Sequence, residues 1–216
     1  MPAPQSKVDI CNLALDKIGQ SLVSDIDTPA DQDSATLARW YDTTRQNLLR
    51  KYVWNFAKTR TVLSRSEIAP AFEYADQYPL PTDFLRLLSI GEYEYDGMTE
   101  YDITGDETDG RVIQCNNSNS NALYIRYIRD VENIALFDPL FISVLHLQLA
   151  LNISYKFNLK ISTVKKINEE LTLELSKAVS VDGQERPTRR IQNSKFLRAR
   201  RNLGMGTTAT PWTYFN

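Results

Sequence analysis

The sequence predicts an α+β protein that is mainly α. The expected architecture is a four-helix bundle built from the N- and C-terminal halves, an antiparallel β domain inserted between them, and an extended C-terminal tail. Three observations carry this expectation. Apolar residues recur at helical steps between Val8 and Tyr52 and again between Leu140 and Ala178, the helical period disappears from Ala57 to Arg129, and the charge changes sign after Glu185. The implied boundaries are a discontinuous helical bundle over 1–56 and 138–183, a β domain over 57–137, and a basic, aromatic-ended tail over 184–216.

The first helix is announced by Ser6-Lys7-Val8-Asp9, which has capping-box spacing, and by Val8, Cys11, Leu15 and Ile18 ahead of Gly19. Thr28-Pro29-Ala30-Asp31 predicts a second start, with Thr28 as cap and Pro29 in the first turn. It leads through Leu37, Tyr41 and Leu48 to about Tyr52. Trp54 and Phe56 then read as an aromatic packing corner. Further on, Asp138-Pro139 opens a helix apolar on most faces through Leu140, Val144, Leu147 and Leu151. Ser162 opens the last helix, whose stripe is Ile167, Leu171, Leu175 and Ala178, with Gly183 expected just past its end.

Between the helical halves, 59–63, 85–95, 111–115 and 123–128 are short runs rich in β-branched residues, Leu and Tyr. Asp96-Gly97, Asp109-Gly110 and the Asn/Ser run 116–121 separate them as turns. Tyr78-Pro79-Leu80-Pro81 cannot donate a regular hydrogen-bond ladder and is expected as an extended edge or crossing segment.

Composition bounds the possibilities. With 216 residues, 42% apolar and 24% charged, the chain can fill one good core or two small ones, burying roughly 70% of its unfolded surface. That excludes disorder throughout, and 8 Gly with 9 Pro exclude collagen-like and low-complexity chains. Cys11 and Cys115 lie far apart, and no secretory leader is read before Ser6, so a reducing compartment is expected rather than a disulfide scaffold. The longest stretch without a formal charge, 139–155, holds His146, Gln148 and Asn152. It is short and polar for a membrane span, and no membrane partner is expected.

The formal net charge of −2 conceals a division. After Glu185 there are seven bases and no acid, which leaves a net −9 on the preceding residues. The tail cations Arg186, Arg189, Arg190, Lys195, Arg198, Arg200 and Arg201 suit something negative, whether nucleic acid, an acidic protein surface or the acidic body of another copy, and composition alone is equally met by a solvated tail with no partner. Trp212, Tyr214 and Phe215 close the tail where little chain remains to cover them, which suits anchors for a partner.

Reactive chemistry is sparse. His146 is the only histidine, no Cys or His pair has zinc-ligand spacing, and no Gly-x-Ser-x-Gly elbow exists, so neither a metal site nor a Ser-His-Asp triad is expected. Cys11 reads as a core residue, and Cys115 shows no activating motif. Gly204-Met205-Gly206-Thr207-Thr208 lacks the lysine and length of a phosphate loop. The segment 92–110 carries Glu92, Glu94, Asp96, Glu100, Asp102, Asp106, Glu107 and Asp109 without a base. It reads as a solvated hairpin edge or a surface that repels polyanions. Carboxylates of a glycan or cell-wall hydrolase, or a calcium loop lacking its downstream glutamate, are the other readings. No enzyme and no cofactor are expected.

The order of several segments is more specific than any one of them. Val8-Asp9-Ile10-Cys11-Asn12-Leu13-Ala14-Leu15-Asp16-Lys17-Ile18-Gly19 is followed by Tyr41-Asp42-Thr43-Thr44-Arg45 and Trp54-Asn55-Phe56-Ala57. Tyr78-Pro79-Leu80-Pro81-Thr82-Asp83-Phe84-Leu85-Arg86 and Tyr124-Ile125-Arg126-Tyr127-Ile128 come after them. Together, over roughly Lys7 to Arg200, they resemble the tail tubular protein A family, the head-to-tail adaptors of short-tailed bacteriophages. The resemblance implies a virion protein at the head-tail junction: a ring of about twelve copies between the portal and the tail nozzle, a tail tubular protein B-like component, with double-stranded DNA passing through. It also implies that the helical part faces the portal and that the terminal tail grips it. Trp54, Phe56, Tyr78, Pro79, Pro81 and Asp83 are then framework residues. An acidic body suits a conduit, since many phosphate contacts would hold the cargo. The tail should face protein, with Arg189, Arg190, Arg198, Arg200 and Arg201 pairing acidic groups and Trp212, Tyr214 and Phe215 filling pockets. A nucleic-acid-binding module using the basic tail is the rival from another class.

Overall fold

The computed structural model describes residues 6–29, 31–91, 100–117 and 122–185. Residues up to Glu185 form one compact unit. The tail from Arg186 onward, with every arginine and aromatic assigned to portal binding, lies outside the described residues.

The expectation of a mainly α bundle is overturned. The described residues are about 46% helix and 23% strand, in four α-helices and two three-stranded antiparallel sheets, a mixed α+β fold. Part of the difference comes from the strand Tyr101–Asp106 inside the acidic segment, which the composition does not predict, and from Asp76–Pro79 pairing as a full strand where an extended edge or crossing segment is expected. Nor do the helices close a core among themselves. Their buried cluster runs on through Ile128 and Val131 and is capped by Leu85 and Leu88 of the β region.

Helix α1 (Lys7–Ile18) begins with the Ser6/Asp9 capping box and ends at Gly19, whose φ of 71° is the left-handed conformation that glycine adopts without a Cβ penalty. Helix α2 (Gln32–Lys51) is capped by Asp31 rather than Thr28. The Asp31 carboxylate accepts from the Asp33 and Ser34 N–H groups, while Thr28 Oγ1 donates to Asp25 in the preceding turn. Helix α3 (Pro139–Ile153) starts from Asp138 with Pro139 in its first turn and is the central element, touched by α1, α2 and α4. Helix α4 (Ile161–Gln184) has Lys160, not Ser162, at its N-cap and runs through Gly183 to Glu185. Among the described residues no helix is long and apolar enough to cross a membrane.

The aromatic corner after α2 is a packing corner. Trp54 is buried, donates from Nε1 to the Leu48 carbonyl at 3.1 Å, and meets Phe141 edge-on at 5.1 Å, with Phe56 and Phe137 completing the cluster. It seals the end of the helices where the chain enters the first strand.

Strands β1 (Lys58–Ser64), β6 (Ala122–Arg129) and β3 (Phe84–Ile90) form one sheet in that order; β2 (Asp76–Pro79), β5 (Gly110–Cys115) and β4 (Tyr101–Asp106) form the other. Between them lies a second core: Leu63, Phe84, Leu123, Ile125 and Tyr127 from the first sheet against Tyr78, Ile113 and Cys115 from the second. Strand β2 is the edge expected of the Pro79 segment. Strand β3 slips register between Phe84 and Arg86 and again between Leu87 and Ser89. These bulges let Phe84, Leu87 and Ile90 face the inter-sheet core while Leu85 and Leu88 meet the helices. One strand thereby serves both cores.

Candidate docking surfaces

Residues from the sequence segments that carry the family resemblance hold the joint between helices and sheets. Arg45, on the buried side of α2, donates from Nη1 to Asp130 and, at 2.6 Å, to the Val131 carbonyl, and from Nη2 to Asp42 at 3.1 Å. Gln46 donates to the other oxygen of Asp130 at 2.7 Å. The exit of β6 is thus tied to the middle of α2 by a buried cation, which sequence reading passed over because Arg45 sits among polar neighbours. Thr44 accepts from Asn152 of α3 at 2.8 Å. Tyr127 donates to Asp83 at 2.9 Å, and Asn117 donates to the buried Tyr78 hydroxyl at 3.1 Å. All of these are framework contacts.

Among the described residues no reactive constellation assembles from the candidates. His146 hydrogen-bonds through Nδ1 to the Ile142 carbonyl at 3.0 Å within α3, and burial lowers its pKa. Burial pushes the Cys11 thiol up to about 12 and the Cys115 thiol up to about 11, keeping both protonated and poorly nucleophilic. Glu92, Glu94 and Asp96 lie outside the described residues, whereas Asp106 and Asp109 build the β4–β5 turn. Asp106 accepts from the Thr108 and Asp109 N–H groups, which hold it below the ordinary carboxylate range. That is the opposite of what a general acid needs. Asp109 accepts from Ser66 Oγ at 2.6 Å. Among the described residues no three His, Cys, Asp or Glu side chains gather as metal ligands would.

Two surfaces stand out instead. At the end of the helices where α3 turns into α4, Tyr155 is 92% exposed and Ile161 76% exposed. Beside them runs a groove of about 540 Å³ whose walls include Leu159, Val164 and Lys165. Lys165 is the one lysine in its wall, Lys156, Lys160 and Lys166 are close in the sequence, and no acid occurs between Asp138 and Glu169. Lys156 is occupied by Asp33 and Thr36 of α2, at 2.7 and 2.8 Å. A largely apolar groove with one lysine in its wall, on an acidic protein, is suited to a protein partner that brings apolar side chains and a carboxylate.

The second surface is the part of the outward face of the β1-β6-β3 sheet that the helices leave uncovered, since Ile128, Leu85 and Leu88 pack into the helical core. Alternation turns Leu63, Leu123, Ile125 and Tyr127 inward, so Lys58, Arg60 and Val62 on β1 and Tyr124 and Arg126 on β6 turn away. Arg60 lies directly opposite Arg126, and Val62 opposite Tyr124. At the foot of this face Arg86 donates to the Arg50 and Lys51 carbonyls at the end of α2, 3.4 Å each, framing a depression of about 570 Å³ with Asn47. The pattern Lys-x-Arg-x-Val was present in the sequence, but its partner across the sheet was not.

Compared with known proteins, the chain matches no family model and no curated protein.

Proposed function

We propose that the chain is a non-enzymatic head-to-tail adaptor of a short-tailed bacteriophage, similar to tail tubular protein A. It forms a ring, dodecameric by the family resemblance, between the portal and the tail nozzle of the virion, and double-stranded DNA passes through that ring. The ordered set of sequence segments from Val8 to Ile128 carries this reading. Their side chains supply architecture rather than a reactive cleft: Tyr41, Arg45, Trp54 and Tyr78 are buried in the joints between elements. The helical end around Tyr155 and Ile161 offers the kind of face that a protein partner covers, at the part of the molecule expected to meet the portal.

The test is native mass spectrometry of the full chain mixed with portal rings of the same virus, alongside a chain ending at Arg186. The full chain is expected to load the portal with multiple copies, and the shortened chain to load it poorly. A full chain that stays apart from the portal overturns the adaptor reading. Equal loading by the shortened chain removes the tail from the mechanism.

A further inference from the structure

The two sheets carry opposite charge on opposite sides of one β unit. The outward face of the first sheet presents the exposed Arg60, with the exposed Lys51 and Arg86 at its foot, while Lys58 donates to Asn55 Oδ1 at 2.6 Å and Arg50 to the Leu85 carbonyl. On the second sheet the acids lie along the β4 edge, with Asp102 and Asp106 on the strand, Glu107 and Asp109 in the adjoining turn and Glu100 just before it, while Gln77 and Val112 on the same face are buried. Two bases of the β region are engaged elsewhere. Arg65 pairs with the buried Asp76 at 3.0 Å, and Arg111 lies over the Phe84 ring and reaches the Phe84 carbonyl. Since the inner faces meet in a common core, the charged faces point in opposite directions.

From this polarity we infer that the outward face of the β1-β6-β3 sheet is the seat of a second copy of this chain, which places the acid-bearing face of its β2-β5-β4 sheet there. The inference deepens the adaptor reading by naming the contact between neighbours, and it rests on that reading for the ring. A contact between two different faces is heterologous: each copy uses one face and leaves the other open, so copies add in one rotational sense and form a ring where that rotation closes. Carboxylates of one copy would meet Arg60 and Lys51 of the next, around an apolar centre where Val62 and Tyr124 are about half exposed. In the closed ring these cations are neutralised, and the assembled surface stays net negative toward a polyanion.

Magnitude decides how firmly copies hold. Three strands at about 4.8 Å spacing and about seven residues long span at most roughly 300 Å², and the helices already cover the end that bears Ile128, Leu85 and Leu88. That is well short of the ~800 Å² per partner of a standard stable interface. The contact is therefore weak in dilute solution and strengthened by a partner that lines up the copies. Nucleic-acid phosphate is the competing occupant of the same cations.

Sedimentation of the full chain without portal, over rising concentration at low and at high salt, tests the contact by itself. Wild-type protein is expected to self-associate at low salt and to dissociate at high salt. The double variant Arg60→Glu/Lys51→Glu and, separately, Asp102→Lys/Glu107→Lys should each weaken association about tenfold or more, since each sets like charges face to face. Combining all four changes in one chain reverses both faces and should restore association, an outcome that misfolding cannot imitate. Self-association indifferent to either double variant, absence of self-association in the wild type, or failure of the fourfold variant to recover overturns the inference. So does tight binding of duplex DNA that Arg60→Glu/Lys51→Glu abolishes while self-association is unchanged. Portal loading that persists in any of these cases leaves the adaptor reading standing and the named contact rejected.

Discussion

At the scale of single residues, the most consequential side chain is Arg45. It is buried on α2 yet remains a cation, and it can do so because Asp130, the Val131 carbonyl and Asp42 surround its guanidinium. Removing the cation leaves Asp130 in a largely buried position with only Gln46 as a side-chain donor. Arg45→Ala is expected to lower unfolding stability by about 3–5 kcal/mol, the usual cost of breaking a buried pair. Pairing it with Asp130→Asn should recover part of that loss, because the stranded charge is gone. Urea unfolding of the three variants checks this, and equal losses for Arg45→Ala and the double variant would show that lost packing, not the stranded charge, dominates. Arg45 stands in a segment that carries the family resemblance, but its structural role was not legible there: Asp130 and Val131 lie at a strand exit far along the chain, and only the fold brings them to it.

At the same scale, the thiols give a pH dependence whose sign is fixed. Cys11 is fully buried, and burial pushes its pKa up to about 12 from an ordinary value of 9.0. The native state therefore holds this proton through a range in which the unfolded chain has released it. Stability is unaffected by this group below about pH 9 and falls as pH rises from there toward 12. The buried Tyr41 hydroxyl, also raised by burial, adds to the slope at its upper end. Measured unfolding midpoints should decline between pH 8.5 and 10.5 more steeply in the wild type than in Cys11→Ala. A parallel decline in both proteins would mean that Cys11 ionises in the native state.

At the scale of elements, helix starts were legible where one residue supplies the cap and fails to be contested. Ser6 with Asp9, and Asp138 with Pro139, are such cases. The start of α2 was contested: Thr28-Pro29 satisfies the pattern, but the Asp31 carboxylate takes two N–H groups while Thr28 is engaged by Asp25. Strand β3 was only partly legible because its two bulges replace the two-residue alternation with a three-residue spacing of Phe84, Leu87 and Ile90. Strand β4 was hidden by its charge. Asp102 and Asp106 are unfavourable strand residues by composition, yet on an edge strand they face water and discourage unwanted pairing. The turn joining β4 to β5 belongs to the same scale. Glu107, Thr108 and Asp109 lie between the paired residues Asp106 and Gly110, and Gly110 has a φ of 72°. This arrangement needs a left-handed residue at its end. Gly110→Val should therefore loosen the hairpin, costing about 1–2 kcal/mol. Faster amide exchange confined to β4 and β5 is the expected readout, and unchanged protection there would contradict the role given to the glycine.

At the scale of the whole molecule, the helical and sheet cores meet through β3 and β6, so the two should not melt apart. Ile128 belongs to the helical core while its neighbour Tyr127 belongs to the sheet core, and β6 is the central strand of its sheet. An element shared in this way couples the free energies of both parts, because opening one exposes side chains that complete the other. The notion of a bundle with a separate β attachment, natural from the sequence because the apolar period changes at Ala57, cannot capture this. Periodicity reports which face is buried, not against which element. The docking surfaces were illegible for a related reason: Arg60 and Arg126 become neighbours only through strand pairing, and Tyr155 and Ile161 only through the turn between α3 and α4. The coupling has a measurable consequence in Trp54→Ala. That change strips the aromatic corner from Phe141 and Phe56 and should cost about 3–5 kcal/mol. If the cores are one cooperative unit, far-ultraviolet signals from helix and strand will shift to the same lower urea midpoint. If they are independent, the strand signal will keep its wild-type midpoint while the helical signal moves, and the shared role of β6 is then refuted.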